Sequence, residues 1–228
     1  MRNRAREALI ITVLSGACLE TGQARGGSAI AVTFDEPQLV NNDPLLTFYD
    51  GGTTYRGIGG GPNLGVAFSL NARVFTQTSG LTGTFTPPGV MELYSDTARD
   101  GEGISAIMDV AGGIQSGVQF SYAAIDADGR VRVYSGLDGA GTLLADVTLP
   151  ITSPQTGPGV FVADSVQFSG VAQSIVIDGG NKQLAFDDLT TFSAVPEPLS
   201  LSLLAIGCVL WVAASRVSAI TRRQVRRG

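Results

Sequence analysis

The chain has 228 residues, of which 44% are hydrophobic and 15% charged, which is enough for one domain with a hydrophobic core and a short signal at each end. Histidine is absent and the two cysteines, Cys18 and Cys208, lie in terminal apolar segments, which excludes histidine or cysteine catalysis and zinc sites built from histidine or cysteine in between. Residues 32–195 contain 17 acidic and 6 basic side chains (6 − 17 = −11), a charge that opposes nucleic-acid binding.

Residues 1–31 have the pattern of a secretory signal peptide. Its basic start consists of Arg2, Arg4 and Arg6. The apolar segment 8–17 is too short to cross a hydrocarbon layer of ~30 Å as a permanent helix, so we predict a cleaved signal helix. Two cut sites are compatible with the small residues that follow, one after Ala24 and one after Ala31. The domain between the two terminal signals then spans 32–194.

From Ile30 onward the chain reads as short strands separated by Gly, Pro, Asn and Asp. The predicted strands are 30–35, 45–49, 65–70, 90–94, 104–110, 118–125, 130–134, 143–149, 161–168, 173–177 and 183–192. Alternation of polar and apolar residues is clearest in 130–134, and the Asp-Gly turn at 126–129 before it predicts a hairpin. We therefore predict an all-β, antiparallel two-sheet sandwich or jelly roll.

The last segment, 195–228, combines three features. Pro196 and Pro198 keep the start extended, because proline fixes φ and lacks a backbone donor. The apolar run 199–215 predicts a single transmembrane helix of about 25 Å with Trp211 near one interface. The basic residues that follow are Arg216, Arg222, Arg223, Arg226 and Arg227. By the positive-inside rule they hold this end in the cytoplasm, so the acidic domain lies outside.

The order Val195, Pro196, Glu197, Pro198, apolar span and arginines resembles the PEP-CTERM sorting signal of exported bacterial proteins. This tail is also labelled after ice-binding proteins, which implies nothing about the domain. The segments 33–36, 131–136 and 184–190 are similar to β-sandwiches found with such tails. The resemblance implies export through a translocon, processing by an exosortase, and passage through the inner membrane to the cell surface. A plain membrane anchor is the alternative.

Two acidic pairs lie near the ends of the predicted domain. They are Asp35 and Glu36 in the first strand and Asp187 and Asp188 in the last. If the first and last strands are neighbours, the four carboxylates form a candidate Ca²⁺ site, because this ion takes six to eight oxygen ligands. The alternative is that one carboxylate of each pair points inward and caps a turn while the other faces water.

Only carboxylates remain as candidate catalytic groups. Glu92, Asp96, Asp100 and Glu102 cluster in one loop-rich stretch, where two of them can in principle form a glycosidase pair. Solvated loop carboxylates are far commoner, so the prediction is a non-catalytic binding or structural module, with extracellular polysaccharide as candidate partner. A sugar-stacking platform would come from the five tyrosines, Tyr49, Tyr55, Tyr94, Tyr122 and Tyr134.

Overall fold

The structure is a computed structural model that describes residues 29–153 and 159–192. These residues form eleven strands and no helix. The strands are β1 (Ala31–Val32), β2 (Asp43–Pro44), β3 (Val66–Phe68), β4 (Ala72–Phe75), β5 (Thr82–Gly83), β6 (Val90–Leu93), β7 (Gly103–Ala124), β8 (Gly129–Tyr134), β9 (Leu143–Leu149), β10 (Val160–Gly180) and β11 (Leu184–Thr191). The predicted signal and transmembrane helices lie outside the described residues, which themselves include no helix able to cross a membrane.

The strands are hydrogen-bonded in the order β2-β4-β6-β11-β7-β10-β8-β9, with β1 beside β11, β3 beside β7 and β5 beside β10. All pairs are antiparallel except β5 and β10. β7 and β10 are long enough to serve two layers, and their pairing is interrupted by register shifts between Gln167 and Ser174. Such irregularities bend strands. The result is a sandwich-like all-β fold, as the sequence predicts.

The two layers follow from the pairing of the long strands. The second half of β7 pairs with the first half of β10 and with β11, beside β6 and β4. The first half of β7 pairs with β3 and with the second half of β10, which continues to β8 and β9. One hydrophobic core joins the layers and contains Met108 of one and Phe120 of the other. Phe120 also packs against Phe186 of β11, with ring centroids 5.2 Å apart.

The predicted neighbourhood of the first and last strands is confirmed, because Ala31 pairs with Thr190 and Val32 with Leu189. The predicted strand 45–49 is wrong. This segment forms a turn in which Phe48 N–H donates to the Leu45 carbonyl, and the side chains of Leu45, Phe48 and Tyr49 are fully buried in the core. A short apolar run fits a buried turn as well as a buried strand, so periodicity does not distinguish them.

The hairpin predicted at 126–129 is also wrong. β7 and β8, which this segment connects, do not pair with each other. β8 lies between β10 and β9 instead. Asp126 has the positive φ (63°) expected of a turn residue, but the turn carries the chain from one layer to the other.

Candidate functional site

Three of the four predicted calcium ligands hold one loop segment, 84–89, in place. Asp187 Oδ2 accepts a hydrogen bond from Thr86 N–H (2.7 Å), and Asp188 Oδ2 accepts one from the Thr86 hydroxyl (3.0 Å). Asp35 Oδ1 accepts one from Gly89 N–H (2.9 Å). These carboxylates thus tie the segment before β6 to both ends of the domain.

Glu36, the fourth candidate, points elsewhere and accepts a hydrogen bond from the Tyr49 hydroxyl (2.5 Å). In the described residues, no group of three or more acidic, histidine or cysteine side chains has the geometry to hold a metal ion. The four-carboxylate calcium site is therefore not assembled. Turn capping, the alternative prediction, describes the contacts of Asp35, Asp187 and Asp188 better.

Asp187 is the buried member of its pair, with none of its side chain exposed, and its Oδ1 atom has no partner among the residues that the structure describes. Burial, followed by the nearby charges of Asp188 and Asp35, raises the pKa of Asp187 to about 7, although hydrogen bonds from the backbone at Thr86 and Asp188 oppose the shift. The protein therefore carries a carboxyl group whose ionisation is costly near neutral pH.

The four carboxylates considered for glycoside hydrolysis take part in separate contacts. Asp96 pairs with Arg73 (2.7 Å) and Asp100 with Lys182 (2.9 Å). Glu102 accepts a hydrogen bond from Arg99 N–H (2.9 Å). Three of the four are thus occupied by cations or by the backbone, as structural side chains are.

The remaining carboxylate, Glu92 on β6, lines a small cavity of about 50 Å³ on the outer face of the sheet. Such a volume holds a few water molecules but no sugar. Burial raises the pKa of Glu92 to about 7, against the opposing effect of the Lys182 charge. Asp96 lines a different cavity, so these two carboxylates do not face a common substrate.

That second cavity is a groove of about 390 Å³, a volume within the ~300–1,000 Å³ range of small-molecule sites. We call it the β2 groove, because it lies beside β2. It is lined by Asn42, Pro44, Tyr55, Arg56, Leu70, Asn71, Arg73, Ser95, Asp96 and Thr97. Apolar and hydrogen-bonding surfaces are therefore combined in one concave site.

The outer wall of the groove is the tip of loop 53–58, where Tyr55 has 67% of its surface exposed and Arg56 is exposed beside it. The tip is held from below by Asp43, which is fully buried. Its Oδ2 accepts a hydrogen bond from the Thr54 hydroxyl (2.6 Å) and its Oδ1 one from Arg56 N–H (3.1 Å). An exposed aromatic ring is thus held on a hydrogen-bonded support.

Backbone contacts complete this support. Tyr55 N–H donates to the Pro44 carbonyl (2.9 Å), and Gly57 N–H donates to the Thr54 carbonyl (3.0 Å). Gly57 has φ of 82°, which glycine adopts without the strain that a side chain would cause. Gly61 lies so close to the 45–49 turn that an added Cβ would be 2.5 Å from the Phe48 oxygen. The glycine-rich stretch therefore packs against the core and fixes the tip.

The inner wall of the groove is built around Arg73 on β4, whose side chain is only 13% exposed. Its Nη1 donates to Asn42 Oδ1 (3.2 Å) and its Nη2 to Asp96 Oδ2 (2.7 Å). Its Cζ lies 4.7 Å from the ring centroid of Tyr94, and the Lys182 ammonium lies 5.0 Å from the same centroid. The hydrogen bond from Arg73 lowers the pKa of Asp96. Ion pairing and cation–π contacts thus fix the polar part of the groove lining around Arg73.

The tyrosines predicted as a sugar platform separate clearly in the structure. Tyr49 and Tyr122 are buried, and Tyr94 lies against Arg73 and Lys182. Tyr55 is the strongly exposed tyrosine of the groove. The sequence signal that finds it is an aromatic-arginine pair, Tyr55-Arg56, inside a stretch otherwise rich in glycine.

The predicted sorting residues lie outside the described residues. They are Val195, Pro196, Glu197 and Pro198 of the motif, Trp211, and the arginines Arg216, Arg222, Arg223, Arg226 and Arg227. Their roles stay predictions.

The fold and the groove define the class of protein: a sandwich-like all-β domain with a small-molecule-sized groove at one edge. Similar solved structures include the K2 cleaved adhesin domain of Lys-gingipain (12% identity, 74% of this chain and 100% of that chain, TM-score 0.47). Two others are TmCBM61 in complex with beta-1,4-galactotriose (14%, 57% and 88%, 0.37) and CsCBM6-3 from Clostridium stercorarium in complex with cellobiose (17%, 55% and 85%, 0.33). No protein-family model and no curated protein matches. At these TM-scores the likenesses carry no argument about function.

Proposed function

We propose that this protein is an exported, non-catalytic glycan-binding module of the cell surface or extracellular matrix, and that the β2 groove is its binding site. The observation that carries the proposal is the exposed Tyr55 ring, which lines the same groove as Arg73 and whose two neighbours, Thr54 and Arg56, are held by buried Asp43. A tyrosine ring offers an apolar face on which a sugar ring stacks, while Arg, Asn and Asp side chains hydrogen-bond its hydroxyls.

Preorganisation supports binding at this site. An aromatic side chain on a fixed loop loses little conformational entropy when a ligand arrives, so more of the contact energy appears as affinity. Arg73 is similarly constrained before binding, by Asn42, Asp96 and Tyr94. Both walls of the groove are thus formed without ligand.

Catalysis is a weaker proposal for the same site. Hydrolysis by two carboxylates needs an acid and a base or nucleophile about 5–10 Å apart across the substrate. Asp96 is the carboxylate that lines the groove, and it is held by Arg73. Glu92, whose raised pKa suits a general acid, lines the other, smaller cavity. A binding role requires no such pair.

Delivery to the surface belongs to the same proposal and is supported by the sequence. The basic start with its short apolar segment fits export through the translocon, and the tail 195–228 resembles a signal read by an exosortase. Mass spectrometry of the mature protein tests this part. We expect a chain that starts after Ala24 or Ala31 and ends near Pro198. Retention of 199–228 in the mature protein would replace sorting by simple anchoring.

A glycan array tests the binding function. The full chain, purified in a mild detergent, is applied to neutral and acidic oligosaccharides beside a Tyr55→Ala variant. We expect the wild type to bind a subset of the glycans and the variant to lose that signal. Absence of binding across the array, or equal binding by the variant, would contradict the proposed function.

A further inference from the structure

Most basic side chains of the acidic domain form ion pairs with its own carboxylates. Of the six basic side chains in residues 32–195, four are in ion pairs: Arg73 with Asp96, Arg130 with Asp146, Arg132 with Asp178, and Lys182 with Asp100. Within the described residues the other two, Arg56 and Arg99, form no ion pair. Arg56 and Arg99 are therefore the two exposed cations of the domain that an acidic ligand can pair with.

Arg56 differs from Arg99 in its position. It is next to Tyr55 at the tip of the loop and lines the β2 groove, whereas Arg99 does not. Buried Asp43 binds the backbone of Arg56 rather than its guanidinium, so the carboxylate fixes where the side chain begins while the exposed guanidinium stays available. The structure thus positions a cation over the groove without neutralising it.

A second basic group of the groove has unused hydrogen-bonding capacity. Arg73 uses Nη1 and Nη2 for Asn42 and Asp96, but its Nε is buried and has no partner among the described residues. An unsatisfied buried donor costs about 1–3 kcal/mol. Arg73 is thus a second basic side chain that lines the groove, with one donor that no described residue satisfies.

We propose that the ligand of the β2 groove is an acidic glycan, in which a uronic acid ring stacks on Tyr55 and its carboxylate pairs with the Arg56 guanidinium. This inference rests on the proposed glycan binding and narrows it to one class of sugar. The guanidinium matches a carboxylate in charge and in planar geometry, and hydrogen bonds between ionised groups are stronger than neutral ones. A neutral sugar would leave this cation unpaired.

The test compares uronic acid oligosaccharides with their methyl esters, which keep the ring and lose the charge. Affinities of the full chain are measured for trigalacturonate and its methyl ester, for other acid and ester pairs, and for neutral oligosaccharides. The salt concentration is 0.15 M, at which charges more than about 8 Å apart are largely screened and contacts within the groove dominate. We expect acids to bind about tenfold more tightly than their esters, as for one charge-assisted hydrogen bond.

Variants assign the effect to one residue. Arg56→Gln is expected to reduce the affinity for the acids about tenfold, so that the acids bind no more tightly than the esters do to the same variant. Arg99→Gln removes the other unpaired cation and is the matched control, with no effect expected. Equal losses in both variants would show a general charge effect and overturn the assignment to Arg56.

The remaining outcomes separate this inference from the function on which it rests. Equal affinity for acids and esters, or binding to neutral glycans alone, would contradict the proposal that the ligand is acidic but would be consistent with the proposed glycan-binding function. Binding to none of the acidic, esterified or neutral glycans overturns both proposals. Preference for acids that Arg56→Gln abolishes supports both.

Discussion

The buried carboxylate of Asp43 accepts a hydrogen bond from the backbone N–H of Arg56, 3.1 Å away, and so connects the start of β2 to the tip of a loop thirteen residues later. The same carboxylate holds the Thr54 hydroxyl (2.6 Å). Tyr55 stands between these two anchored residues. The presentation of the exposed ring therefore depends on a side chain that no ligand touches.

Replacement of Asp43 is expected to affect both stability and binding. Asp43→Ala leaves the Thr54 hydroxyl and the Arg56 N–H without their acceptor, which costs about 1–3 kcal/mol in the free energy of unfolding. Urea unfolding measures this loss. Glycan affinity should also fall, because the tip must then be ordered on binding.

The control for this variant is Asp50→Ala, which removes an exposed carboxylate from the same region. We expect its unfolding curve and glycan affinity to match those of the wild type. If Asp43→Ala binds glycans as the wild type does, the loop support is irrelevant to the site.

Stability is expected to fall as the pH rises from about 4.5 to above 7, because of Glu92. Its pKa is about 7 in the folded protein and 4.5 ordinarily, so the folded state holds the proton more tightly than the unfolded chain does. This contribution is complete below pH 4.5 and is lost as the pH rises through 7. This difference between the two pKa values of Glu92 contributes at most about 3 kcal/mol to the free energy of unfolding.

Glu92→Gln mimics the protonated group at every pH. We expect it to raise the free energy of unfolding at pH 8 and to leave it unchanged at pH 4, measured by urea unfolding at both values. Glu102→Gln, an exposed carboxylate, is the matched control and should retain the wild-type pH dependence. Asp187 contributes in the same window, so some dependence should persist in Glu92→Gln and become weaker still in the double variant with Asp187→Asn. Wild-type behaviour of Glu92→Gln at pH 8 would contradict the buried position of Glu92.

Calcium is expected to have no effect on thermal unfolding. The described residues offer no set of three acidic side chains around one point, and Asp35, Asp187 and Asp188 are already used by Thr86 and Gly89. Melting curves of the full chain in excess calcium and in chelator should therefore coincide. A ligand that binds the folded state alone raises the melting temperature, so a shift of several degrees would restore the predicted calcium site.

The sequence predicts the strand with clear alternation of polar and apolar residues and the pairing of the first strand with the last. Residues 130–134 alternate and form β8, and the acidic pairs near the first and last strands were expected to meet because such strands are often neighbours. The strand prediction for residues 45–49 is wrong, because Leu45, Phe48 and Tyr49 are buried from a turn and not along a strand. Long-range packing thus decides where local pattern is ambiguous.

The site was less predictable than the fold. Tyr55 is one of five candidate tyrosines in the sequence, and its exposure depends on Asp43, twelve positions earlier, and on the packing of Gly61 on Phe48. The groove itself also needs Arg73 from β4 and Asp96 after β6, which meet through sheet pairing. The spacing of residues in the sequence does not show that β4 and β6 are paired.

Calorimetric titration of the full chain with the best array ligand shows whether the β2 groove binds glycan through Tyr55. Tyr55 is 67% exposed, so Tyr55→Ala should unfold like the wild type. The affinity of Tyr55→Ala should fall about tenfold or more, as expected when a stacking ring is removed, and that of Tyr55→Phe, which keeps the ring, should stay within a few-fold of wild type. Unchanged affinity in Tyr55→Ala would contradict glycan binding through Tyr55 in the β2 groove.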